Sequence, residues 1–408
     1  MEIELAGFEK ANEVLKKYIL KSPLVKNEWL STKFSCEVYL KLENLQPVGS
    51  FKLRGATNMI ANLSEEDRKK GVVAVSAGNH AQGVAWAAQK FGIEATIIMP
   101  KPSPLVKIAN TEALGAKVIL AGENVDESFE YAKNYLKENK KTYIHPFNQE
   151  DIIYGQGTIA LELREQIDHI DFLFGSIGGG GLMSGVGHVV KEFFPRCTIV
   201  GSQSTGAASM IKSLQQGKLI ESETLATFAD GIKVKKPEFK MYELLDKVID
   251  EAVHVQDDCV AMAVLQLMEQ ARIIAEGAGA INLAAFNELY EKNPRRFKNK
   301  KVVLIISGGN IDVNLIDRII ENGLIESKRR VKMNILLDDS PGALHILTGI
   351  FKDVEANVLQ VHHKRDVPYL HLDQSIVEVT LECKGGTHYE DIMNKVKESF
   401  TILPQGHI

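Results

Sequence analysis

The chain has 408 residues, 45% of them hydrophobic and 25% charged, a composition typical of globular domains, and its length predicts about two to three of them. Its 48 basic and 53 acidic side chains leave a net charge of −5 without a long block of one sign. Bulk charge therefore argues against nucleic acid and anionic membranes as partners. Residues 1–17 lack the basic and apolar regions of a secretory signal, and no apolar run approaches the roughly 18 residues of a spanning helix, so we expect neither feature.

The cysteines lie too far apart in the sequence to form a C-x-x-C pair, the spacing that would indicate a zinc or redox site. We therefore expect buried thiols, no metal site and a location in the reducing cytoplasm. The four positions are Cys36, Cys197, Cys259 and Cys383.

Between about residues 40 and 310, short β-branched apolar runs alternate with amphipathic stretches, a pattern typical of α/β folds with parallel sheets. The predicted strands are Val72–Ser76, Ala95–Met99, Lys117–Leu120, Asp171–Ile177, Thr198–Gln203 and Lys301–Ser307. The predicted helices include Gln82–Phe91, Pro104–Leu114, Val125–Glu138, Leu182–Phe194 and Asp257–Ala275. Because such sheets bind ligands beyond the carboxyl ends of their strands, we expect function in the segments that follow each strand.

A polar connector at residues 321–330 separates this region from a second pattern of strand, helix, strand, strand, helix and strand. Its elements are Val331–Leu337, Gly342–Glu355, Val358–His363, Ser375–Glu382, Tyr389–Phe400 and Thr401–Leu403. This order is typical of a small α+β, ferredoxin-like domain. We therefore predict a large domain over residues 1–320, a linker over 321–330 and a separate domain over 331–408.

The strongest chemical signal is the segment KLENLQPVGSFKLRGA at residues 41–56. Lys52 follows Phe51 and turn-prone residues at the start of a predicted helix. The positive helix end and an apolar wall both lower the pKa of an ammonium group. Lys52 is therefore a candidate Schiff-base amine, whereas an isolated lysine is more simply a solvated surface residue.

Two loops have the composition of anion-binding turns. Four consecutive glycines at 178–181 lie between a predicted strand and a helix, where backbone N–H groups can converge on a phosphate. They do not follow the G-x-G-x-x-G spacing of a nicotinamide site, and alone they would indicate only a tight turn. Residues 76–80 also join a strand to a helix, where they can bind a carboxylate as well as cap the helix.

Segment 41–56 resembles the lysine motif of the fold-type II pyridoxal-phosphate enzymes, and among them the threonine and serine dehydratases. Further segments are similar to motifs of that family in the same order, and they span residues 76–83, 178–182, 229–232, 276–280 and 307–310. The resemblance covers residues 5 to 320. It implies two α/β/α subdomains with parallel sheets, the smaller at about 45–147 inserted in the larger, and pyridoxal 5′-phosphate as the cofactor.

The resemblance also implies roles for single residues. Lys52 would hold the cofactor and remove the Cα proton of the substrate. The other cofactor contacts would be Phe51, Asn79, Gly178, Gly179, Gly180, Gly181, Leu182, Gly231 and Ser307. The substrate carboxylate would be bound by Ser76, Ala77, Gly78, Asn79 and His80. Ser307 would face the pyridine nitrogen, and since a neutral hydroxyl cannot hold a pyridinium as a carboxylate does, elimination is favoured over transamination.

The reaction that the resemblance implies is α,β-elimination. L-Threonine would give 2-oxobutanoate and ammonia, and L-serine would give pyruvate and ammonia, with the cofactor phosphate as the proton donor. Neither the preference between the two substrates nor a catabolic or biosynthetic role follows from the sequence.

Two other functions compete with this one. A serine racemase with dehydratase side activity is disfavoured by Ala77, which has no titratable proton where those racemases carry a serine. A non-catalytic amino-acid-binding regulator is disfavoured by the intact motifs. Neutral Gln203 and Ser209 stand where the racemases have two metal-binding carboxylates, so we expect no divalent metal, with a monovalent cation near Gly231 left open.

Residues 339–363 resemble the ACT domain, a small amino-acid-sensing module. The resemblance implies allosteric regulation by an amino-acid or nucleotide effector and a homo-oligomer, either a dimer or a tetramer. An oligomerisation module without a ligand is an equal alternative. His362 and His363 would face opposite sides of one strand, so they cannot share a metal ion.

Overall fold

The computed structural model describes residues 3–368 and 370–404. The chain divides into two compact units, the first ending at Asp312 and the second beginning at Val313. Over the described ranges, no helix combines the length and the apolar character needed to cross a membrane.

The first unit alternates strands and helices. Its strands are β1 (Leu24–Lys26), β2 (Glu37–Leu42), β3 (Val72–Val75), β4 (Ala95–Met99), β5 (Lys117–Leu120), β6 (Thr142–Tyr143), β7 (Phe172–Ser176), β8 (Thr198–Ser204), β9 (Glu251–Val255) and β10 (Lys301–Ile306). Its α-helices are α1 (Leu5–Leu15), α2 (Glu28–Phe34), α3 (Lys52–Ala61), α4 (Glu65–Lys70), α5 (Asn79–Phe91), α6 (Leu105–Ala113), α7 (Val125–Asn139), α8 (Glu150–Gln166), α9 (Gly181–Phe193), α10 (Ser209–Gln216), α11 (Phe239–Asp246), α12 (Asp257–Gln266) and α13 (Gly277–Lys292).

These strands form two sheets. The larger sheet has the order β1-β2-β10-β7-β8-β9 and is parallel except at β1, which is antiparallel to β2. The smaller sheet has the order β5-β4-β3-β6 and is parallel throughout. Its strands follow β2 and precede β7 in the chain. The predicted α/β class with two parallel-sheet subdomains is therefore confirmed.

Most of the predicted strands are buried on both faces, although β5 is exposed at its first and last residues. Strands β3 and β4 are buried at every residue, and β10 is buried at every residue but its first. Strands buried on both faces need apolar side chains at consecutive positions, which produces the continuous runs seen in the sequence. The six predicted strands of this unit are confirmed to within one residue at each end.

Two predicted helix boundaries of the first unit were wrong. Helix α5 begins at Asn79, three residues before the predicted start at Gln82. The predicted helix Asp257–Ala275 is α-helical to Gln266 and continues as a π-helical turn, Leu267–Ala271. Arg272 then ends it in the left-handed conformation, with φ of 59°. The sequence has no glycine or proline at this point, so the helical pattern of apolar residues continues beyond the residue where the helix ends.

The second unit contains a four-stranded antiparallel sheet in the order β12-β13-β11-β14, numbered in chain order. Its elements are α14 (Val313–Glu326), β11 (Arg330–Asp338), α15 (Ala343–Asp353), β12 (Asn357–Lys364), β13 (Gln374–Glu382), α16 (Gly386–Ser399) and β14 (Thr401–Leu403). The predicted α+β order is confirmed, but the predicted start of the last helix was wrong, because α16 begins at Gly386 and not at Tyr389. The predicted linker, residues 321–330, includes the end of α14 and the first residue of β11, and the domain boundaries themselves stay predictions.

Candidate active site

A cavity of about 380 Å³ lies where β7 and β10 end and where α3 and α5 begin. The carboxyl edge of a parallel sheet is where small-molecule sites form. The cavity is lined by all ten residues predicted to contact the cofactor, namely Phe51, Lys52, Asn79, Gly178, Gly179, Gly180, Gly181, Leu182, Gly231 and Ser307. It is also lined by Phe147, Ser176, Ile232, Glu276 and Ala278.

Lys52 is the first residue of α3, and it is a half-buried residue in the wall of the cavity. Nζ donates a 2.8 Å hydrogen bond to the carbonyl oxygen of Pro146 and lies 5.3 Å from the centre of the Phe51 ring. Burial lowers the pKa of Lys52 to about 8, and the charge of Glu276 opposes this shift. Near neutral pH, the amine therefore has an accessible uncharged form, which is the nucleophilic one.

The four glycines connect β7 to α9 and lie at the positive end of that 13-residue helix. Gly180 has φ of 101°, a conformation that side chains disfavour. A Cβ at Gly179 would lie 2.2 Å from ring atoms of Phe147, so only glycine allows the loop to pack against this ring. The loop thus brings backbone N–H groups to the cavity at a helix N-terminus, the arrangement that binds phosphate.

Ser307 follows the last residue of β10, and its side chain is 1% exposed. Its hydroxyl donates a 3.0 Å hydrogen bond to the carbonyl oxygen of Ala278 and accepts one of 3.3 Å from the hydroxyl of Ser176. A hydroxyl can rotate between acceptors, so the same group can donate to a ring nitrogen in the cavity. The Ser307 hydroxyl can therefore offer a ring nitrogen a neutral hydrogen-bond partner, but not a negative charge.

Asn79 joins the two subdomains across the cavity. Its Nδ2 donates a 2.6 Å hydrogen bond to Oε1 of Glu276, and its Oδ1 accepts one of 2.7 Å from Nδ2 of Asn310. Burial raises the pKa of Glu276 to about 7, and the hydrogen bond from Asn79 opposes that shift. A carboxyl group that titrates near neutral pH beside a candidate catalytic lysine is typical of a functional site.

The turn before α5 holds the residues predicted to bind the substrate carboxylate. Of these, Asn79 lines the cavity, and Ser76, Ala77 and Gly78 precede it in the chain. The Ser76 hydroxyl oxygen accepts a 3.1 Å hydrogen bond from the N–H of Gly78, which leaves its own hydrogen for an anion. His80 is 3% exposed, with Nε2 lying 2.9 Å from the carbonyl oxygen of Ile144. Its side chain is therefore committed to the backbone, and its substrate contact stays a prediction.

The positions predicted to lack metal-binding carboxylates are engaged with the backbone. Oε1 of Gln203 accepts a 2.8 Å hydrogen bond from the N–H of Ile211, and the Ser209 hydroxyl donates one of 2.8 Å to the carbonyl of Val234. Among residues 3–368 and 370–404, no group of three or more His, Cys, Asp or Glu side chains is placed to hold a metal ion. A monovalent cation near Gly231 stays a prediction.

The sequence did not assign a role to Phe147 or to the carboxyl group of Glu276. Phe147 follows β6, which has two residues and gives no detectable periodicity. If β6 had been predicted, the position of Phe147 shortly after a strand of the smaller sheet would have indicated a site residue. Glu276 was included in a motif, but its partner Asn79 lies 197 residues away in the sequence.

The cavity suits the cofactor that the sequence implies. Pyridoxal phosphate presents an aldehyde, a phosphate, a ring nitrogen and a 3′-oxygen. The cavity offers an amine whose pKa burial lowers to about 8, glycine N–H groups at a helix N-terminus, the neutral hydroxyl of Ser307 and the amide of Asn79. Each group of the cofactor therefore has a partner of matching chemistry.

Comparison with known proteins agrees with this geometry. A family model described as pyridoxal-phosphate dependent enzyme matches residues 15–308. The chain is 46% identical over 390 residues to an L-threonine ammonia-lyase of Thermotoga maritima, an alignment that covers 96% of each protein. Among solved structures, it is similar to the processed form of threonine deaminase isoform 2 from Solanum lycopersicum, with a TM-score of 0.72, 36% identity and coverage of 78% of this chain and 94% of that one. Serine racemase from Dictyostelium discoideum is also similar, with a TM-score of 0.71, 32% identity and coverage of 76% and 99%. The chain belongs to the family of pyridoxal-phosphate-dependent enzymes.

Proposed function

We propose that this enzyme is an L-threonine ammonia-lyase that converts L-threonine to 2-oxobutanoate and ammonia by α,β-elimination, and that it also converts L-serine to pyruvate and ammonia. The observation that carries the proposal is one cavity lined by the Lys52 amine, the glycine loop and Ser307. The L-threonine ammonia-lyase that shares 46% identity over 96% of this chain supports the choice of substrate.

The chemistry divides between the cofactor and the chain. Bound pyridoxal phosphate supplies the electron sink for carbanion chemistry at the substrate Cα. The glycine N–H groups at the start of α9 would bind its phosphate, and Ser307 would offer the ring nitrogen a neutral hydrogen bond. Because the Ser307 hydroxyl carries no charge, it would not hold the ring nitrogen protonated, which favours prompt loss of a leaving group.

Lys52 moves the proton in this mechanism. Its pKa, lowered by burial to about 8, lets the amine accept a proton from Cα and release it again near neutral pH. The turn before α5 binds the substrate carboxylate with backbone N–H groups and the Ser76 hydroxyl. The β-hydroxyl would take up a proton and leave as water, and hydrolysis of the remaining enamine by one water would give the 2-oxo acid and ammonia.

Racemisation is the second candidate, supported by the 32% identity to a serine racemase. Inversion at Cα needs a second acid or base on the face opposite Lys52. Position 77 is Ala77, which has no proton to give, so this chain offers nothing at the position where the resemblance places that group.

Product analysis separates the two functions. Purified holoenzyme incubated with L-threonine is expected to release 2-oxobutanoate and ammonia in equal amounts, and Lys52→Ala is expected to abolish both products and the visible absorbance of the bound cofactor. Lys101→Ala, an exposed lysine paired with Glu123, serves as the matched control. Formation of D-serine from L-serine without keto acid would instead show a racemase, and full activity of Lys52→Ala would refute the assignment of the lysine.

We infer that residues 331–408 form an ACT-like regulatory domain of a homo-oligomer, with an amino acid as its effector. The order of strands and helices supports this, and so does edge strand β12, whose residues are exposed from Asn357 to His363. Gly342, with φ of 95°, begins the turn into α15 and has open space where a Cβ would lie. If the effector binds there, isoleucine or valine will alter the KM for threonine in the full chain but not in Gly342→Asp. An equal response in both would contradict the assigned effector site.

We infer a cytoplasmic location from the cysteine side chains. Cys36 and Cys197 are buried, and burial raises the pKa of each thiol to about 12, which keeps them protonated and inert. Cys383 is also buried and donates a hydrogen bond to the carbonyl of Lys328. Cys259 is exposed, so the expectation of buried thiols was wrong for that residue. Unpaired thiols persist in reducing compartments.

A further inference from the structure

Glu276 is a titratable residue of the cavity lining that has no role in the proposed mechanism. It immediately precedes α13, and its backbone N–H donates a 3.0 Å hydrogen bond to the carbonyl of Gly308, next to Ser307. Its carboxyl group lines the same cavity as Lys52. The main chain therefore holds this side chain at the end of β10, beside the cofactor partner Ser307.

The carboxyl group occupies a slot that two glycines leave open. A Cβ at Gly308 would lie 2.5 Å from Oε1 of Glu276, and a Cβ at Gly231 would lie 3.3 Å from the same atom. A side chain at position 308 would displace the carboxyl group, and one at 231 would crowd it. The absence of side chains at positions 231 and 308 therefore leaves room for Oε1 of Glu276.

The contacts of Asn310 and Glu276 fix which way the Asn79 amide points. Nδ2 of Asn310 donates 2.7 Å hydrogen bonds to the carbonyl of Val48 and to Oδ1 of Asn79. The other end of the Asn79 amide, Nδ2, then faces Oε1 of Glu276 at 2.6 Å. A carboxylate only accepts hydrogen bonds, so a reversed amide would set two acceptors against each other. One hydrogen of Nδ2 is used by Glu276, and the second remains for a ligand oxygen.

The electrostatic surroundings make this contact sensitive to pH. The charged or titratable groups that act on Glu276 are Lys52 in the cavity wall, Lys107 on α6 and Asp230 beside Gly231. Lys107 and Asp230 pair with each other at 2.9 Å, so their effects on Glu276 oppose one another. Burial is the largest influence and raises the pKa of Glu276 to about 7. The carboxyl group thus gains and loses its charge within the range where enzymes work.

We propose that Glu276 is a positioning residue that orients the Asn79 amide so that its free Nδ2 hydrogen binds the 3′-oxygen of pyridoxal phosphate. This inference rests on the proposed function, because it assigns Asn79 to that cofactor. Glu276 acts through Asn79, and its ionised carboxylate also polarises the amide so that Nδ2 is a better donor. Loss of the charge therefore weakens the contact without removing any atom from the cofactor.

The test measures cofactor affinity and absorbance instead of turnover. Replacing the carboxylate by an uncharged acceptor in Glu276→Gln is expected to raise the dissociation constant of pyridoxal phosphate about five- to tenfold at pH 8. The wild-type affinity and absorbance are expected to change with a midpoint near pH 7, following the pKa of Glu276, and this transition is expected to disappear in Glu276→Gln. Glu123→Gln, which removes an exposed carboxylate, is the matched control.

A second arm distinguishes positioning from a structural role. If Glu276 acts through Asn79, Glu276→Gln will have no further effect on cofactor affinity once Asn79 is replaced in Asn79→Ala, because the two effects are not additive. Additive losses would overturn the inference. The pH titration of the wild type needs no variant, so absence of a transition near pH 7 would overturn it even if Glu276→Gln failed to fold.

These outcomes also separate the inference from the proposed function. If the wild-type protein takes up no pyridoxal phosphate, the proposed function fails, and the inference fails with it. If the wild type binds the cofactor and Lys52→Ala abolishes its absorbance, the proposed function stands. Additive losses or a missing pH transition in that case contradict Glu276 alone.

Discussion

Replacing Arg54 should destabilise the first unit far more than replacing a surface cation. Arg54 lies on α3 two residues after Lys52 and is fully buried. Its Nε and Nη2 donate 2.8 Å hydrogen bonds to the two carboxylate oxygens of Glu43, and its Nη1 donates one of 2.7 Å to Oε1 of Glu162. Glu162 also accepts a 2.6 Å hydrogen bond from Lys41, so two cations balance two anions. The cluster joins the segment after β2, α3 and α8, and thereby fixes the helix that carries Lys52.

The expected loss of stability follows from the contacts that the two carboxylates keep in Arg54→Leu. Glu162 keeps its ion pair with Lys41. Glu43, which is 0% exposed, keeps hydrogen bonds only from the Ser22 hydroxyl and, at 3.4 Å, from Gln46, and it shares the charge of Lys41 with Glu162. A buried charge that loses its partner costs about 3–5 kcal/mol. Arg54→Leu should therefore lower the free energy of unfolding by about that amount. Replacing both partners, as in Arg54→Leu with Glu43→Leu, should recover most of it because no buried charge is left unpaired.

The measurement is urea unfolding of the cofactor-free protein followed by tryptophan fluorescence. Both tryptophans, Trp29 and Trp86, lie in the first unit, so the signal reports on that unit. Lys101→Gln breaks an exposed ion pair and should change stability by no more than about 1 kcal/mol. A loss below about 1 kcal/mol for Arg54→Leu, or no recovery in the double variant, would refute the reasoning.

The pH dependence gives a second check on the same variant. Burial opposes ionisation of Glu43, but Arg54, together with Lys41 and the Ser22 hydroxyl, outweighs it, and the pKa of Glu43 lies below its usual value of 4.5. A lowered folded-state pKa contributes stability that is present above the unfolded-state pKa and is lost as the pH falls through the folded one. In Arg54→Leu this contribution is gone. The stability difference between wild type and variant should therefore be largest at neutral pH and shrink below about pH 4.5.

Three further outcomes are expected. Acetylation of Lys52 in the cofactor-free protein, followed by mass spectrometry, should reach half its maximal rate near pH 8, since burial lowers the pKa of this amine from 10.5; a rate still rising at pH 10 would contradict the burial argument. Gly179→Ala should weaken cofactor binding about 5- to 150-fold, because the added methyl group would overpack against Phe147 at a cost of about 1–3 kcal/mol. Gly349→Ala, which has open space at its Cβ, is the control and should bind the cofactor as the wild type does. Burial and the charge of Lys52 lower the pKa of His80 from 6.5 to about 3. The free energy of unfolding should therefore fall by up to about 1.4 kcal/mol per pH unit as the pH drops from 6.5 towards 3, and it should fall less steeply in His80→Asn.

The parts of the fold that the sequence predicted are those whose pattern comes from burial alone. Strand β10 is buried on both faces and appears as a continuous apolar run, whereas β11 covers one face of its sheet and alternates between buried and less buried residues. Both patterns are local, so they are visible without tertiary information. Strands β1, β2, β6 and β9 were missed. Strands β1 and β6 have only three and two residues, β9 is mostly half-buried, and β2 carries Glu37 and Lys41 among its apolar residues. Each of the four pairs with a neighbouring strand that supplies hydrogen bonds.

The same distinction explains which parts of the active site were predictable. A phosphate site at a helix N-terminus needs glycines next to one another, and an amine with a lowered pKa needs an apolar neighbour, so both leave a local mark in the sequence. The partners of these groups leave none. Lys52 donates to Pro146 across 94 positions, and Asn79 donates to Glu276 across 197. A sequence can thus name the groups that do the chemistry, but the groups that orient them become visible only when the carboxyl ends of the strands are brought together. Glu276 lines the cavity and acts through Asn79, and Arg54 supports the helix that carries Lys52. Variants of these two residues therefore test the contacts that the sequence alone did not predict.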